Sequence, residues 1–141
     1  MNEMPIVFIF IGDRLPKYAV YNFQFTQEKY NNVILVTNAK KGIKKIPVTS
    51  LINSEELFEG SNMEFFSSYH NNFRDGFWNK TITRYFVLRN YMKYFGIQKA
   101  IHVELDNYLS LTDKTLKYFS EYKKNRIMYP VLPGKYAGGS F

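Results

Sequence analysis

The feature that most constrains this chain is an uninterrupted apolar run from Ile6 to Ile11 that stops at Gly12-Asp13. A bilayer span needs about 18 apolar residues, and a secretory signal needs a basic flank and a small-residue cleavage site. The run has none of these. It therefore predicts a buried strand and a chain without a membrane span, which we expect in the cytoplasm.

The next segment predicts a helix and a second strand. Pro16 occupies the place of a first helical turn, and three aromatic residues follow at helical spacing: Tyr18, Tyr21 and Phe25. A second apolar run, Val33–Val36, then ends at Thr37-Asn38. Strand, helix and strand with short connections predict a parallel βαβ unit with a right-handed crossover.

The middle of the chain has one strong helical pattern. It runs from about Thr81 to Phe95, with Gly96 as a stop signal. Four apolar residues fall on one face of this predicted helix: Tyr85, Leu88, Met92 and Phe95. Before this helix, Ile46–Val48 predicts a short strand. The segment from Ser54 to Tyr69 fits either a weak helix or irregular structure.

The remainder continues the alternation of strands and helices. Ala100–Leu105 predicts a buried strand, Thr112 or Asp113 can cap a helix through Tyr122, and Ile127–Tyr129 predicts one more strand. The sequence therefore predicts an α/β fold, with an open, mostly parallel sheet and helices on both faces, in a single domain over residues 1–141. In such sheets ligands bind beyond the carboxyl ends of the strands.

Composition narrows the chemistry. The chain has no cysteine, which excludes disulfides and thiolate sites and fits a reducing compartment. Its net charge of +7 favours an anionic partner. The densest basic stretch, residues 40–45, is either a solvated loop or part of a polyanion-binding surface.

Glu104 and Asp106 are the best candidates for chemistry. Side chains alternate along a strand, so these two carboxylates are predicted to point the same way at a strand end. Oxygen ligands of this kind suit Mg²⁺ or Mn²⁺ held together with substrate phosphates. The structural alternative is that Glu104 pairs with a basic side chain and Asp106 caps a turn.

Four segments resemble a group of GT-A glycosyltransferase-like proteins: Gly76-Phe77-Trp78, Thr83–Leu88, Tyr91-Met92 and Ile101–Asn107. In that group an aromatic-rich helix precedes a strand ending in a pattern like the last segment. The element order matches from Ile6 to Tyr129, but the motifs are specific only over residues 76–107. The resemblance implies the Rossmann-like, nucleotide-binding half of the GT-A fold, with a divalent cation (Mn²⁺ or Mg²⁺) held by Asp106 and Glu104.

The resemblance also implies a binding site for a nucleotide-diphosphate sugar. Its implied contacts are Gly12, Asp13, Thr37, Asn38, Lys80, Arg84, Leu105 and Asn107. Arginine suits phosphate because its planar fork donates two hydrogen bonds. Arg84 could equally form a salt bridge to Glu104 or Asp106. His102, inside the apolar strand, is interpreted as a satisfied core histidine. His70 has no predicted partner, and Trp78 could stack on a sugar or belong to the core.

The expected function is therefore sugar transfer from a nucleotide-diphosphate sugar, metal dependent, to an acceptor that the residues do not identify. No catalytic base is identifiable. The chain ends where the family pattern would enter another strand, so we expect a fragment, a reduced protein, or a half completed by self-association or a partner chain. The alternatives are a non-catalytic basic module that binds nucleic acid or another polyanion, with nucleic acid the less favoured partner, and a structural remnant of the fold.

Overall fold

A computed structural model of the chain describes residues 4–58, 77–122, 131–132 and 136–137. The chain divides into two compact units, Met1–Ser110 and Leu111–Phe141. In the first unit the elements, in chain order, are β1 (Ile6–Phe10), α1 (Ala19–Gln27), β2 (Val33–Thr37), β3 (Ser50–Asn53), a 3-10 helix (Ser54–Phe58), α2 (Phe77–Tyr94) and β4 (Ile101–Val103). The expectation of one domain over the whole chain stays a prediction.

The four strands of the first unit form one sheet in the order β3-β2-β1-β4, and every neighbouring pair is parallel. Ile6 of β1 pairs with Val33 on one side and with Ile101 on the other. Both β1 and β2 are almost entirely buried, as expected for central strands covered on both faces. The predicted α/β fold class, with an open parallel sheet, is confirmed.

Alternation along β1 sends its side chains to two separate cores. Ile6 and Phe8 pack with Ala19 and Phe23 of α1. Val7 and Ile9 face the other way and pack in the core that contains α2. The sheet therefore has a helix on each face, as predicted.

Both helices form where the sequence predicts them. The aromatic residues that mark each helix do not define its buried face. Tyr18 and Tyr21 are 53% and 66% exposed. The buried residues of α1 are Ala19, Asn22, Phe23 and Thr26. The helical spacing of Tyr18, Tyr21 and Phe25 agrees with the helix, but it does not mark the face of α1 that is buried.

The buried face of α2 likewise does not coincide with the face that holds Tyr85, Leu88, Met92 and Phe95. Tyr85 and Phe95 are 56% and 50% exposed, while Val87 and Tyr91 are buried. The other two predicted residues, Leu88 and Met92, are partly buried against the core. Gly96 follows the helix with φ of +65°, which confirms the predicted stop signal.

The third strand lies later than predicted. Ile46 and Val48 pack against the core from a loop, and β3 begins at Ser50. Backbone pairing decides this: the Thr49 amide donates to the Val33 carbonyl at 2.7 Å, and Ser50 then pairs with Ile34. An edge strand needs little apolar character, so the sequence pattern did not mark it. The predicted segment beyond Phe58 and the strand at Ile127–Tyr129 lie outside the described residues.

In the second unit, α3 spans Asp113–Glu121. Its predicted cap is confirmed: the Thr112 hydroxyl accepts a hydrogen bond from the Thr115 amide at 3.2 Å. Two short strands, β5 (Val131–Leu132) and β6 (Tyr136–Ala137), pair antiparallel. Across the parts of the chain that the structure describes, no helix combines the length and apolar character needed to span a membrane.

Two glycines provide a matched test of the loop between β2 and β3. Gly42 has φ of +79°, and a Cβ added there would lie 2.9 Å from the Leu15 carbonyl oxygen. Gly96 has φ of +65° with nothing within 4 Å of an added Cβ. We expect Gly42→Ala to lower the free energy of unfolding by about 3 kcal/mol, from backbone strain plus the clash, and Gly96→Ala by only about 1 kcal/mol. Urea titration of both variants measures this; equal losses would mean that the Leu15 contact costs nothing.

Candidate functional site

The strand order places the candidate site at the point where the chain reverses direction across the sheet. From β1 the chain adds β2 and then β3 on one side, and returns to add β4 on the other side of β1. In open parallel sheets such a reversal opens a crevice at the carboxyl ends of the two strands that flank it. The loops that follow β1 and β4 therefore border this crevice.

The loop after β4 contains the predicted acidic pair, but it separates the two carboxylates. Alternation continues as far as Leu105, which is buried in the core with α1 at 7% exposure. The chain then turns, and the Asn107 amide donates to the Glu104 carbonyl at 3.1 Å. Asp106 lies at this turn and is exposed. Leu105 could therefore meet a ligand through its backbone only.

Glu104 forms an ion pair with Arg84 of α2. The Arg84 Nη1 lies 3.2 Å from the Glu104 Oε1, and both side chains are about one-fifth exposed. Arg84 Nη2 also donates to the Thr81 hydroxyl at 3.1 Å. Of the two roles considered for Arg84, the geometry favours the salt bridge across the helix-strand interface. Glu104 has its charge neutralised there, which disfavours it as a direct metal ligand.

Asp106 fits a divalent cation better than Glu104 does. Within the described residues its carboxylate forms no ion pair or hydrogen bond, and it is open to solvent. Those same residues contain no group of three or more histidine, aspartate or glutamate side chains placed to hold a metal. Mg²⁺ and Mn²⁺ commonly bind through one or two carboxylates, with water and substrate phosphates completing the shell. The site therefore fits an ion that arrives with a phosphorylated ligand.

Sequence reasoning missed Asn22 of α1. Its side chain binds the loop at residues 104–107, which contains Glu104 and Asp106 and is called the acidic loop below. The Asn22 side chain is 2% exposed, and its Nδ2 donates to the carbonyls of Leu105 and Asn107 at 2.9 and 2.7 Å. The one hint in the sequence is that Asn22 lies on the same helical face as Ala19, Phe23 and Thr26. The structure shows these three residues to be buried. Pattern analysis places a lone asparagine on the solvent side of a helix, so its partner could not be predicted.

The loops after β1 and β2 are joined to each other. The Gly12 amide donates to the Asn38 Oδ1 at 2.9 Å, and the Asp13 carbonyl accepts from the amides of Lys40 and Lys41. Lys41 Nζ also lies 3.0 Å from the Asp13 carboxylate. This hydrogen-bonded lysine lowers the pKa of Asp13. Three of the predicted nucleotide contacts, Gly12, Asp13 and Asn38, are thus brought together.

Two further predicted contacts are Thr37, at the end of β2, and Lys80, on α2. Thr37 is buried, and its hydroxyl accepts from the Ala39 amide at 3.0 Å. Lys80 is exposed in the first turns of α2. His70 and the side chain of Trp78 lie outside the described residues.

His102 is half-buried, and the prediction of a satisfied core histidine is not met at its Nε2. It lies on the α2 side of the sheet, with its ring 6.0 Å from that of Tyr85. The Nε2 nitrogen is itself buried and has no hydrogen-bond partner among the described residues. Burial first, and then the positive charge of Arg84, lower the pKa of His102 to about 4. The imidazole is therefore neutral at physiological pH.

A basic pocket opens beside the joined loops. It has a volume of about 470 Å³ and is lined by Arg14, Leu15, Pro16, Lys17, Val20, Tyr21, Gln24 and Gly42. Val20 and Gln24 lie on the flank of α1 away from Asn22, so this pocket is separate from the acidic loop. Its lining has two cations and no carboxylate.

Comparisons with protein-family models, curated proteins and solved structures find no match to this chain. The class that the fold defines is an α/β protein with a parallel sheet. Polar loops border the point where the order of its strands reverses.

Proposed function

We propose that this chain binds a nucleotide-diphosphate sugar together with Mn²⁺ or Mg²⁺ and serves as the donor-binding half of a GT-A type glycosyltransferase. The observation that carries the proposal is Asp106, a solvent-exposed carboxylate at the carboxyl end of β4, next to the end of β1. The resemblance over residues 76–107 supports the same assignment. The acceptor and the sugar are left open.

In this proposal each side chain has a defined task. Asp106 holds the ion, which when bound would neutralise the diphosphate leaving group as its bond to the sugar breaks. Arg84 pairs with Glu104, 3.2 Å away, and orders the acidic loop instead of contacting phosphate. The joined loops at Gly12 and Asn38 offer backbone and amide groups to the nucleoside. Glu104 acts through the loop, with Asp106 as the only direct ligand.

The test is the thermal stability of the chain with a panel of nucleoside diphosphates and nucleotide sugars, with and without Mn²⁺. A ligand at about 100 times its dissociation constant stabilises by about 2.7 kcal/mol, which raises the Tm by several degrees. We expect a Mn²⁺-dependent rise for one nucleotide, absent in Asp106→Asn and retained in Glu28→Gln. Glu28 is exposed at the end of α1 and provides a matched loss of one charge. No rise with any donor would overturn the proposal.

The basic pocket favours a second candidate function, the binding of a polyanion without catalysis. Arg14 and Lys17 lie in an acid-free pocket, and exposed Lys40, Lys44 and Lys45 follow in the neighbouring loop. The logarithm of the affinity for a polyanion falls linearly with the logarithm of the salt concentration. The slope is set by the number of phosphates contacted. Binding of this kind needs no divalent ion.

A single-stranded oligonucleotide and inorganic polyphosphate are suitable probes of the pocket. We expect Arg14→Gln combined with Lys17→Gln to weaken binding and flatten the salt slope by about 2. The matched control is Arg89→Gln with Lys93→Gln, two exposed residues of α2. Equal effects of the two pairs would indicate attraction by net charge alone and would remove the pocket as a site.

A further inference from the structure

We propose that Asn22 is the positioning residue of the candidate metal site: it fixes the backbone on both sides of Asp106 and thereby sets where the Asp106 carboxylate lies. This inference rests on the proposed function, since it concerns the affinity of Asp106 for a divalent ion. Asn22 is on α1, far from Asp106 in the sequence, and was not among the predicted site residues.

The geometry supports control of the loop from both ends. A single amide nitrogen, Asn22 Nδ2, donates to the Leu105 carbonyl at 2.9 Å and to the Asn107 carbonyl at 2.7 Å. Between these two carbonyl groups lie the backbone of Asp106 and the amide and Cα of Asn107. Asn22 holds the peptide group before Asp106 and the one after Asn107, and the Asn107 amide, which donates to the Glu104 carbonyl at 3.1 Å, holds the peptide group between them. The Cα of Asp106 therefore has little freedom to move.

The Asn22 side chain is itself held in place. The Thr26 hydroxyl lies 2.8 Å from the Asn22 carbonyl and 3.3 Å from its Oδ1. Both residues are fully buried. A contact with Oδ1 directs the oxygen toward Thr26 and leaves Nδ2 facing the loop, so the amide has a defined orientation. Only a neutral amide offers two donors here, whereas a carboxylate would face two carbonyl oxygens.

Contacts on either side keep the loop against α1. Leu105 places its side chain in the core with Ala19 and Phe23. Tyr108, beyond the acidic turn, packs edge-on against Phe25 of α1, with ring centroids 5.2 Å apart. These contacts hold the loop near the helix without fixing the peptide groups beside Asp106. Asn22 therefore supplies two of the hydrogen bonds that orient the turn, beside the bond from the Asn107 amide to the Glu104 carbonyl.

The experiment is a Mn²⁺ titration of the full chain in the presence of inorganic pyrophosphate, followed by electron paramagnetic resonance against a protein-free blank and by paramagnetic broadening of the amide signals of the acidic loop. The variants are Asn22→Asp, Asn22→Ala and Asp106→Asn, at a temperature where each is folded by circular dichroism. Residues that orient metal ligands typically change metal affinity by about 10–100-fold. We expect a loss of that size in both Asn22 variants and loss of the loop broadening in Asp106→Asn.

A stability control separates positioning from general weakening of the fold. Val33→Ala removes buried apolar contacts at the amino end of β2, away from the carboxyl edge of the sheet. It should destabilise the protein and leave the Mn²⁺ affinity unchanged. If Asn22→Asp and Asn22→Ala keep the affinity of the unaltered chain, the positioning role is overturned while the metal site stands. If the unaltered chain shows no Asp106-dependent Mn²⁺ binding, the metal site and the inference fall together.

Discussion

Asn22→Ala is expected to lower the free energy of unfolding by about 3 kcal/mol, more than the replacement of Gln24 on the same helix. The substitution removes the amide that donates to the Leu105 and Asn107 carbonyls, 2.9 and 2.7 Å away in the native protein. A buried polar group that loses a hydrogen-bond partner costs about 1–3 kcal/mol, and the Leu105 bond is buried. Alanine favours the helix slightly, which offsets a few tenths of a kcal/mol.

Urea denaturation of Asn22→Ala beside Gln24→Ala checks this expectation. Gln24 lies two residues further along α1 and is exposed, so its replacement should change the unfolding free energy by no more than about 0.5 kcal/mol. A similarly small loss for Asn22→Ala would mean that water replaces the amide at the two carbonyls. The hydrogen bonds would then contribute little to stability.

His102 is expected to make stability depend on pH over a defined range. Burial and the charge of Arg84 lower its pKa from 6.5 to about 4. The unfolded chain therefore binds a proton at this side chain below about pH 6.5, whereas the folded chain does so only near pH 4. The contribution to stability is complete above pH 6.5 and is lost as the pH falls toward 4, by about 3 kcal/mol at most.

The comparison that isolates this effect is unfolding free energy against pH for the native chain and for His102→Leu. Leucine removes the titrating group, together with the Nε2 that lacks a hydrogen-bond partner in the described part of the chain, and it fills the site with apolar atoms. We expect the stability of the variant to be less sensitive to acid. The unfolding free energy of the variant minus that of the native chain should therefore increase as the pH falls from 6.5 to 4. Parallel curves over that interval would show that His102 keeps an ordinary pKa in the folded protein.

The sequence alone determined the class of the fold and its central elements, although not the edge strand β3. Ile6–Ile11 and Val33–Val36 are continuous apolar runs because both faces of a central parallel strand are covered, and that signal is local. Gly96 and Thr112 marked helix ends because left-handed backbone and N-capping are properties of single residues. The same local chemistry identified Glu104 and Asp106 as a polar strand end.

Tertiary structure decided which faces are buried and which side chains meet. Tyr21 and Tyr85 fit a helical stripe equally well in the core or in solvent, and the packing of each helix on the sheet places both in solvent. The ion pair of Arg84 with Glu104 depends on how α2 lies across β4, so the sequence left its two roles open.

The hydrogen bonds from Asn22 to the acidic loop join residues that are 83 and 85 positions apart in the sequence. They form only because β4 lies next to β1 in the sheet. A local pattern carries no information about a partner at that distance. Strand order brings α1 and the acidic loop together, and the burial of that contact then requires an amide where the sequence pattern alone would place any polar side chain.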